Sequence, residues 1–172
     1  MVRLFDADYT FSEYRFHLGK LLGLFEPLEC AVTAAAATPS DPVCSLRRSR
    51  ELREDLRLTG VSASEIDKLE RCQRIPQITA AGLRGYTYVI LGSLLGGKII
   101  AQRLRAVLGP EVSLQFYGDE KTRYDALWEL FCQDLEINGA NDLPIICETA
   151  IAVFDLYDGW FSEPLFRTGT RC

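Results

Sequence analysis

The sequence has a single histidine, His17, in 172 residues, and no pair of its six cysteines has Cys-x-x-Cys spacing. Cys30, Cys44, Cys72, Cys132, Cys147 and Cys172 are scattered and have no histidines grouped with them, which argues against a zinc site. There is no uninterrupted apolar run of the ~20 residues a membrane span requires. The best attempt is broken by Lys98 and Arg103. The N-terminus lacks the basic region and apolar core of a secretory leader. Together with the unpaired thiols, this gives the expectation of a cytoplasmic protein with reduced cysteines. Positive charge is not in excess either. A net charge of −5 and a pI near 5.0 argue against a general nucleic-acid binder but leave room for a local basic site. No internal repeat or low-complexity tract is present.

What remains is ordinary globular material, 48% apolar and 25% charged, long enough for one domain with its own core. The chain is therefore read as one domain over residues 1–172. Thr10-Phe-Ser-Glu13 has capping-box spacing and starts a helix whose apolar face is Phe11, Tyr14, Leu18, Leu21, Phe25 and Leu28. Pro27 predicts a kink or a local opening near its end, and Ala34–Ala37 could extend it. Thr38 to Pro42 marks a turn or loop. Ser45 can cap a mixed-charge helix to about Leu58, with Gly60 past its end. Arg47, Arg48, Arg50, Arg53 and Arg57 alternate there with Glu51, Glu54 and Asp55, the pattern of a solvated, ion-paired face or of a basic edge for carboxylates. Ser62–Arg71 reads as a short helix. Residues 111–119 read as an irregular connection. Lys121–Ile137 is helical, with Tyr124, Leu127, Trp128, Phe131 and Leu135 as its stripe. A last helix capped by Asn141 carries Ile146, Ala150, Val153, Phe154, Tyr157 and Phe161. The sum is an all-α fold of six or seven helices.

The chain is organised around residues 86–104, a helix by periodicity that contains Gly92, Gly96 and Gly97. Each glycine costs about 0.8–1 kcal/mol relative to alanine in a helix interior. Gly92 and Gly96 are four apart and share a face, with Gly97 beside them. Such a bare face admits either a closely packed helix or a flat ligand, and the spacing does not choose between them. Ser93, next to the bare patch, can bond the preceding turn and help bend the helix near Gly92–Gly97.

The run Tyr88-Val-Ile-Leu-Gly-Ser-Leu-Leu-Gly-Gly97 resembles the glycine-rich distal helix of heme oxygenases, most closely the bacterial, biliverdin-producing branch with its pattern Tyr-Val-Leu-Glu-Gly-Ser-x-Leu-Gly-Gly. Leu91 departs from that pattern, where a glutamate is usual. Tyr14, Leu18 and Pro27-Leu28-Glu29 fall where the same branch has Tyr-x-x-Phe-x-x-x-Leu and Pro-Leu-Glu. The resemblance implies an all-α, single-domain fold in which Gly92, Ser93, Gly96 and Gly97 line the heme. It also implies that heme is both cofactor and substrate, cleaved to biliverdin, carbon monoxide and iron with O2. The electrons would come from a reductase or ferredoxin, and a bilin-binding photoreceptor would be a possible recipient of the product. Nucleic acid and membrane are not implied.

The family's iron ligand is a histidine on a helix that precedes the segment starting here at Thr10. This chain has too few residues there, and none is histidine. An upstream helix of about 15–25 residues, an ordinary length, would restore the family pattern. His17 lies on the following helix, out of the matched position. It reads as a surface or boundary histidine, with a substitute axial ligand for the heme iron as the weaker alternative. No catalytic residue is assigned. The alternative function is a non-catalytic helical module that holds heme or a bilin.

Overall fold

The computed structural model describes residues 6, 8–37, 46, 48–118 and 121–162. Among the described residues there are six helices and no strand: α1 (Phe11–Ala35), α2 (Ser49–Leu58), α3 (Ala63–Lys68), α4 (Leu83–Leu108), α5 (Lys121–Asn138) and α6 (Leu143–Ser162). The all-α expectation holds. No helix among the described residues is long and apolar enough to cross a membrane.

The core is built on α1. Thr10 accepts the Glu13 N–H at 3.2 Å, and the Glu13 carboxylate accepts the Thr10 N–H at 2.8 Å, so the predicted capping box is formed. Tyr14, Leu18, Leu21, Phe25 and Leu28 are buried as the stripe requires and Val32 continues it, while Phe11 at its start is exposed; Lys20 and Leu24, on other sides, are buried too. Burying each such leucine or valine contributes roughly 1.5–3 kcal/mol. A helix buried on several sides is the centre of the domain rather than a surface layer.

Pro27 does not end α1, which continues unbroken to Ala35. Proline has no N–H to give to the carbonyl four residues earlier, that of Gly23. That carbonyl instead accepts the Cys72 N–H at 2.8 Å. Gly23 makes this docking possible, because a Cβ there would stand 2.4 Å from the Glu70 carbonyl oxygen. The lost helical bond is replaced by a tertiary one, and the segment after α3 is fastened to α1.

The start of α2 differs from the prediction for a similar reason. Ser45 lies outside the described residues, and the helix begins at Ser49 after Arg48, whose side chain does not cap it. Glu29 of α1 performs that task. Its carboxylate accepts the N–H groups of Arg48 at 2.6 Å and Ser49 at 3.0 Å, and the Ser49 hydroxyl at 2.5 Å. α3 is shorter than Ser62–Arg71, with Ser62 and Glu65 forming its capping box. The helix α6 begins at Leu143, and Ile146 bonds the Asp142 carbonyl, so Asp142 rather than Asn141 precedes the first turn.

The helix α4 is longer than residues 86–104 and runs through all three interior glycines as continuous α-helix. It ends at Gly109, whose φ of +99° favours glycine. It packs against α5, α6 and α1.

Candidate functional site

On an α-helix, positions seven apart are two turns apart and return to nearly the same side. Gly85, Gly92 and Gly96 therefore share one face of α4, with Gly82 close to it. The two ends of that face differ. A Cβ on Gly85 would stand 2.3 Å from the Ile146 carbonyl oxygen and 2.9 Å from the Ala150 nitrogen. A Cβ on Gly82 would stand 2.4 Å from the Thr149 hydroxyl. Here α6 rests directly on the α4 backbone. At Gly92 and Gly96 none of the described residues has an atom within 4 Å of the position a Cβ would take. Among the described residues, helix packing thus explains Gly82 and Gly85 and does not explain Gly92 or Gly96.

The open half has an apolar margin. Tyr88 is 44% exposed and Ile99 66% exposed, one turn to either side of the bare patch. The Ser93 hydroxyl donates to the Ile90 carbonyl at 2.7 Å, the back-bond expected of it. Gly97 marks the far edge. Its Cβ position lies 3.7 Å from the Tyr117 carbonyl oxygen and 4.0 Å from the Tyr117 Cα, ordinary contact distances. A side chain at Gly92 or Gly96 would project into the open space between these limits. The four residues singled out by the glycine motif are thus brought together on one surface, three of them as open or edge positions.

His17 does not reach this surface. It is 6% exposed, a buried rather than a surface or boundary histidine. Its Nε2 lies 2.7 Å from the Tyr117 hydroxyl. Its ring sits 5.7 Å from that of Phe161. Burial pushes its pKa down to about 4, so the imidazole is neutral at ordinary pH. Burial likewise raises the Tyr117 phenol. With Nε2 engaged by a phenol and the ring buried against Phe161, the residue does not fit an axial ligand in this arrangement.

Arg53 and Arg57 of α2, and Arg48 before it, are also committed within the chain. Arg53 pairs with Glu26 and, at 2.9 Å, with Asp67; Arg57 pairs with Glu54 at 2.6 Å. Hydrogen bonds from Arg53 and Arg71 hold the Glu26 carboxyl below its usual range, outweighing its desolvation. Arg48 is buried, donates to the Phe116 carbonyl, and lies over the Phe116 ring at 5.0 Å. This is the ion-paired reading of the charge pattern.

Two residues escaped the sequence reading. Tyr117 was placed only in an irregular connection, and no local signal marks it. Asp55 was hidden in a run of charges, yet it is completely buried. Its signal was available: Leu52, Asp55, Leu56 and Thr59 follow helical spacing on the buried side of α2. A separate cavity of about 400 Å³ lies between α4 and α5, lined by Leu83, Thr87, Leu91, Leu127 and Phe131 with Arg84 and Asp134. Its α4 residues are on the side away from the glycines, and it contains none of them.

The family model described as heme oxygenase matches residues 1–163 of the chain. No curated protein and no solved structure matches it.

Proposed function

The chain belongs to the heme oxygenase family, and from that premise we propose that the Gly92–Gly97 face of α4 is the wall on which heme lies, and that the reaction is cleavage of heme to biliverdin, carbon monoxide and iron. One observation supports this reading above the others. Gly92 and Gly96 weaken α4 by about 0.8–1 kcal/mol each, and among the described residues no atom within 4 Å gains from their lack of side chains. A ligand gives that cost a purpose.

When bound, heme supplies the oxygen chemistry as cofactor and substrate together. The chain's part is to hold a flat ring against the backbone of α4, bounded by Tyr88 and Ile99 at the margins and by Tyr117 at the edge. With no side chain at Gly92 or Gly96, the ring and a small molecule on its face fit against the helix. Apolar margins exclude water from that side. Ser93, Gly96 and Gly97 keep the roles that the motif gives them; His17 is assigned a structural role. Electrons come from a reductase or ferredoxin, the setting is the cytoplasm, and a bilin-binding photoreceptor can take the product.

Turnover tests the reading directly. The chain is mixed with heme, O2 and a ferredoxin with its reductase, and the bilin product is followed by absorbance. Slow formation of biliverdin, unchanged in His17→Ala, is the expected result, because the one histidine of this sequence is held by Tyr117. Heme binding without product would assign the non-catalytic heme- or bilin-binding module instead.

A further inference from the structure

The boundary of the open face at Gly97 is not formed by a helix. It is formed by the turn Ser113–Tyr117, where a backbone bond runs from the Gly118 N–H to the Gln115 carbonyl at 3.2 Å. The backbone N–H groups of Gln115 and Phe116 need partners from outside the turn. Here the holder is Asp55 of α2. Its Oδ1 accepts the Ser113 hydroxyl at 2.6 Å and the Gln115 N–H at 2.8 Å, and its Oδ2 accepts the Phe116 N–H at 2.9 Å. Two further bonds close the turn from other sides. Tyr14 of α1 donates to the Ser113 carbonyl at 2.7 Å, and Arg48 donates to the Phe116 carbonyl. The next residue, Tyr117, lies with its backbone against Gly97 and its phenol on His17.

We propose that Asp55 is a positioning residue for the ligand face: by holding Ser113, Gln115 and Phe116 it fixes the Tyr117 backbone on Gly97 and so sets where that face ends. The proposal rests on the reading of the glycine face as a ligand wall. A carboxylate is the only side chain of this size that satisfies the arrangement. It offers acceptors at both ends, and the turn presents a backbone N–H to each. An asparagine has an acceptor at one end and a donor at the other. In either orientation its NH2 group faces a backbone N–H, of Phe116 or of Gln115, and one buried donor is left unpaired. Removing Asp55 therefore does not merely loosen the turn; it forces Gln115 or Phe116 away, and Tyr117 with them.

The test compares the wild-type chain with Asp55→Asn, Ser113→Ala and Gly96→Leu, each titrated with ferric heme. Dissociation constant and Soret maximum are read at saturation, and circular dichroism reports folding. Asp55→Asn is expected to weaken heme binding about tenfold, the lower end of what outer-shell partners contribute, and to displace the Soret maximum of the bound form. Ser113→Ala loses one side-chain donor and keeps both backbone donors paired. It should shift the same quantities in the same direction by less, and it serves alone if Asp55→Asn does not fold. A purely structural role for Asp55 would lower the melting temperature and leave the bound spectrum and affinity unchanged. That result in the variants that fold, with Gly96→Leu still blocking heme, overturns the proposal and spares the ligand wall. If Gly96→Leu binds heme as the wild type does, the wall itself is refuted and the proposal falls with it.

Discussion

The two halves of α4 carry glycines on the same face for opposite reasons. At Gly82 and Gly85 the missing side chains let α6 approach until backbone meets backbone. At Gly92 and Gly96 they leave a surface that none of the described residues covers within 4 Å. One helix thus holds, in series, a packing seam and the open face proposed here as the heme wall. A glycine's cost in helix stability is the same in both halves, about 0.8–1 kcal/mol, so stability measurements separate them by what a new Cβ meets. In the seam it meets α6; on the wall it meets space.

The comparison can be broken most severely at Gly85. Gly85→Ala places a Cβ 2.3 Å from a main-chain oxygen, where no flexible side chain can yield. Overpacking of this kind costs about 3 kcal/mol, the upper part of the usual range. Urea unfolding should show the midpoint fall accordingly, and an unchanged midpoint would mean that α6 does not sit on the seam as described.

Acid probes the edge of the wall. His17 has a folded-state pKa of about 4, lower than its ordinary 6.5. Between those values the unfolded chain takes up a proton and the folded chain does not. Stability therefore rises with pH from about 4 to 6.5 and gains nothing further from this group above that. The size is on the order of 3 kcal/mol across the window. Carboxylates such as Glu26 and Asp134, also held below their usual range, add their own loss as the pH falls towards and below theirs. His17→Gln should flatten the upper part of the profile, from 4.5 to 6.5, in melting experiments. A profile with the same slope would place the sensitivity elsewhere.

On the wall the sign reverses. Gly92→Ala and Gly96→Ala should each stabilise the unliganded chain by up to about 1 kcal/mol, since alanine is the better helix former and has open space for its methyl. The same melting experiments would detect this as a rise of a few degrees, on the order of 2–4 °C for a chain of this size. Loss of stability at either site would mean that an unseen neighbour closes the wall. The smallest effect belongs to Arg57→Ala on α2. Its pair with Glu54 is on the surface and contributes roughly 0–1 kcal/mol, and neither half of α4 should respond.

Much of this was legible before the structure. The helices at Thr10, Lys121 and the glycine run follow from capping and periodicity, which are local. The failures are tertiary. Pro27 reads as a kink or local opening, and the sequence does not show that Cys72 takes over the freed Gly23 carbonyl. Ser45 was chosen as a cap because Glu29, nineteen residues before Arg48, is the actual one. Phe154 was put on the inner stripe of α6 and is exposed, because Val153 and Ile146 set the buried side. In the site, the motif located the glycines but not their use. Whether a bare helix face is packed or open depends on where α6 crosses, and nothing within residues 86–104 records that. The turn that bounds the face depends on a buried carboxylate sixty residues earlier, disguised by the charges around it.

The central claim is that the second half of the face is a wall for heme. Absorbance titration of heme against the wild-type chain and Gly96→Leu tests it most directly, with helicity followed in parallel. Leucine is a better helix former than glycine, so α4 should survive while the side chain fills the space over the backbone. The account predicts intact helicity with heme binding abolished or its spectrum strongly displaced. Unchanged affinity and an unchanged Soret band in Gly96→Leu would contradict it.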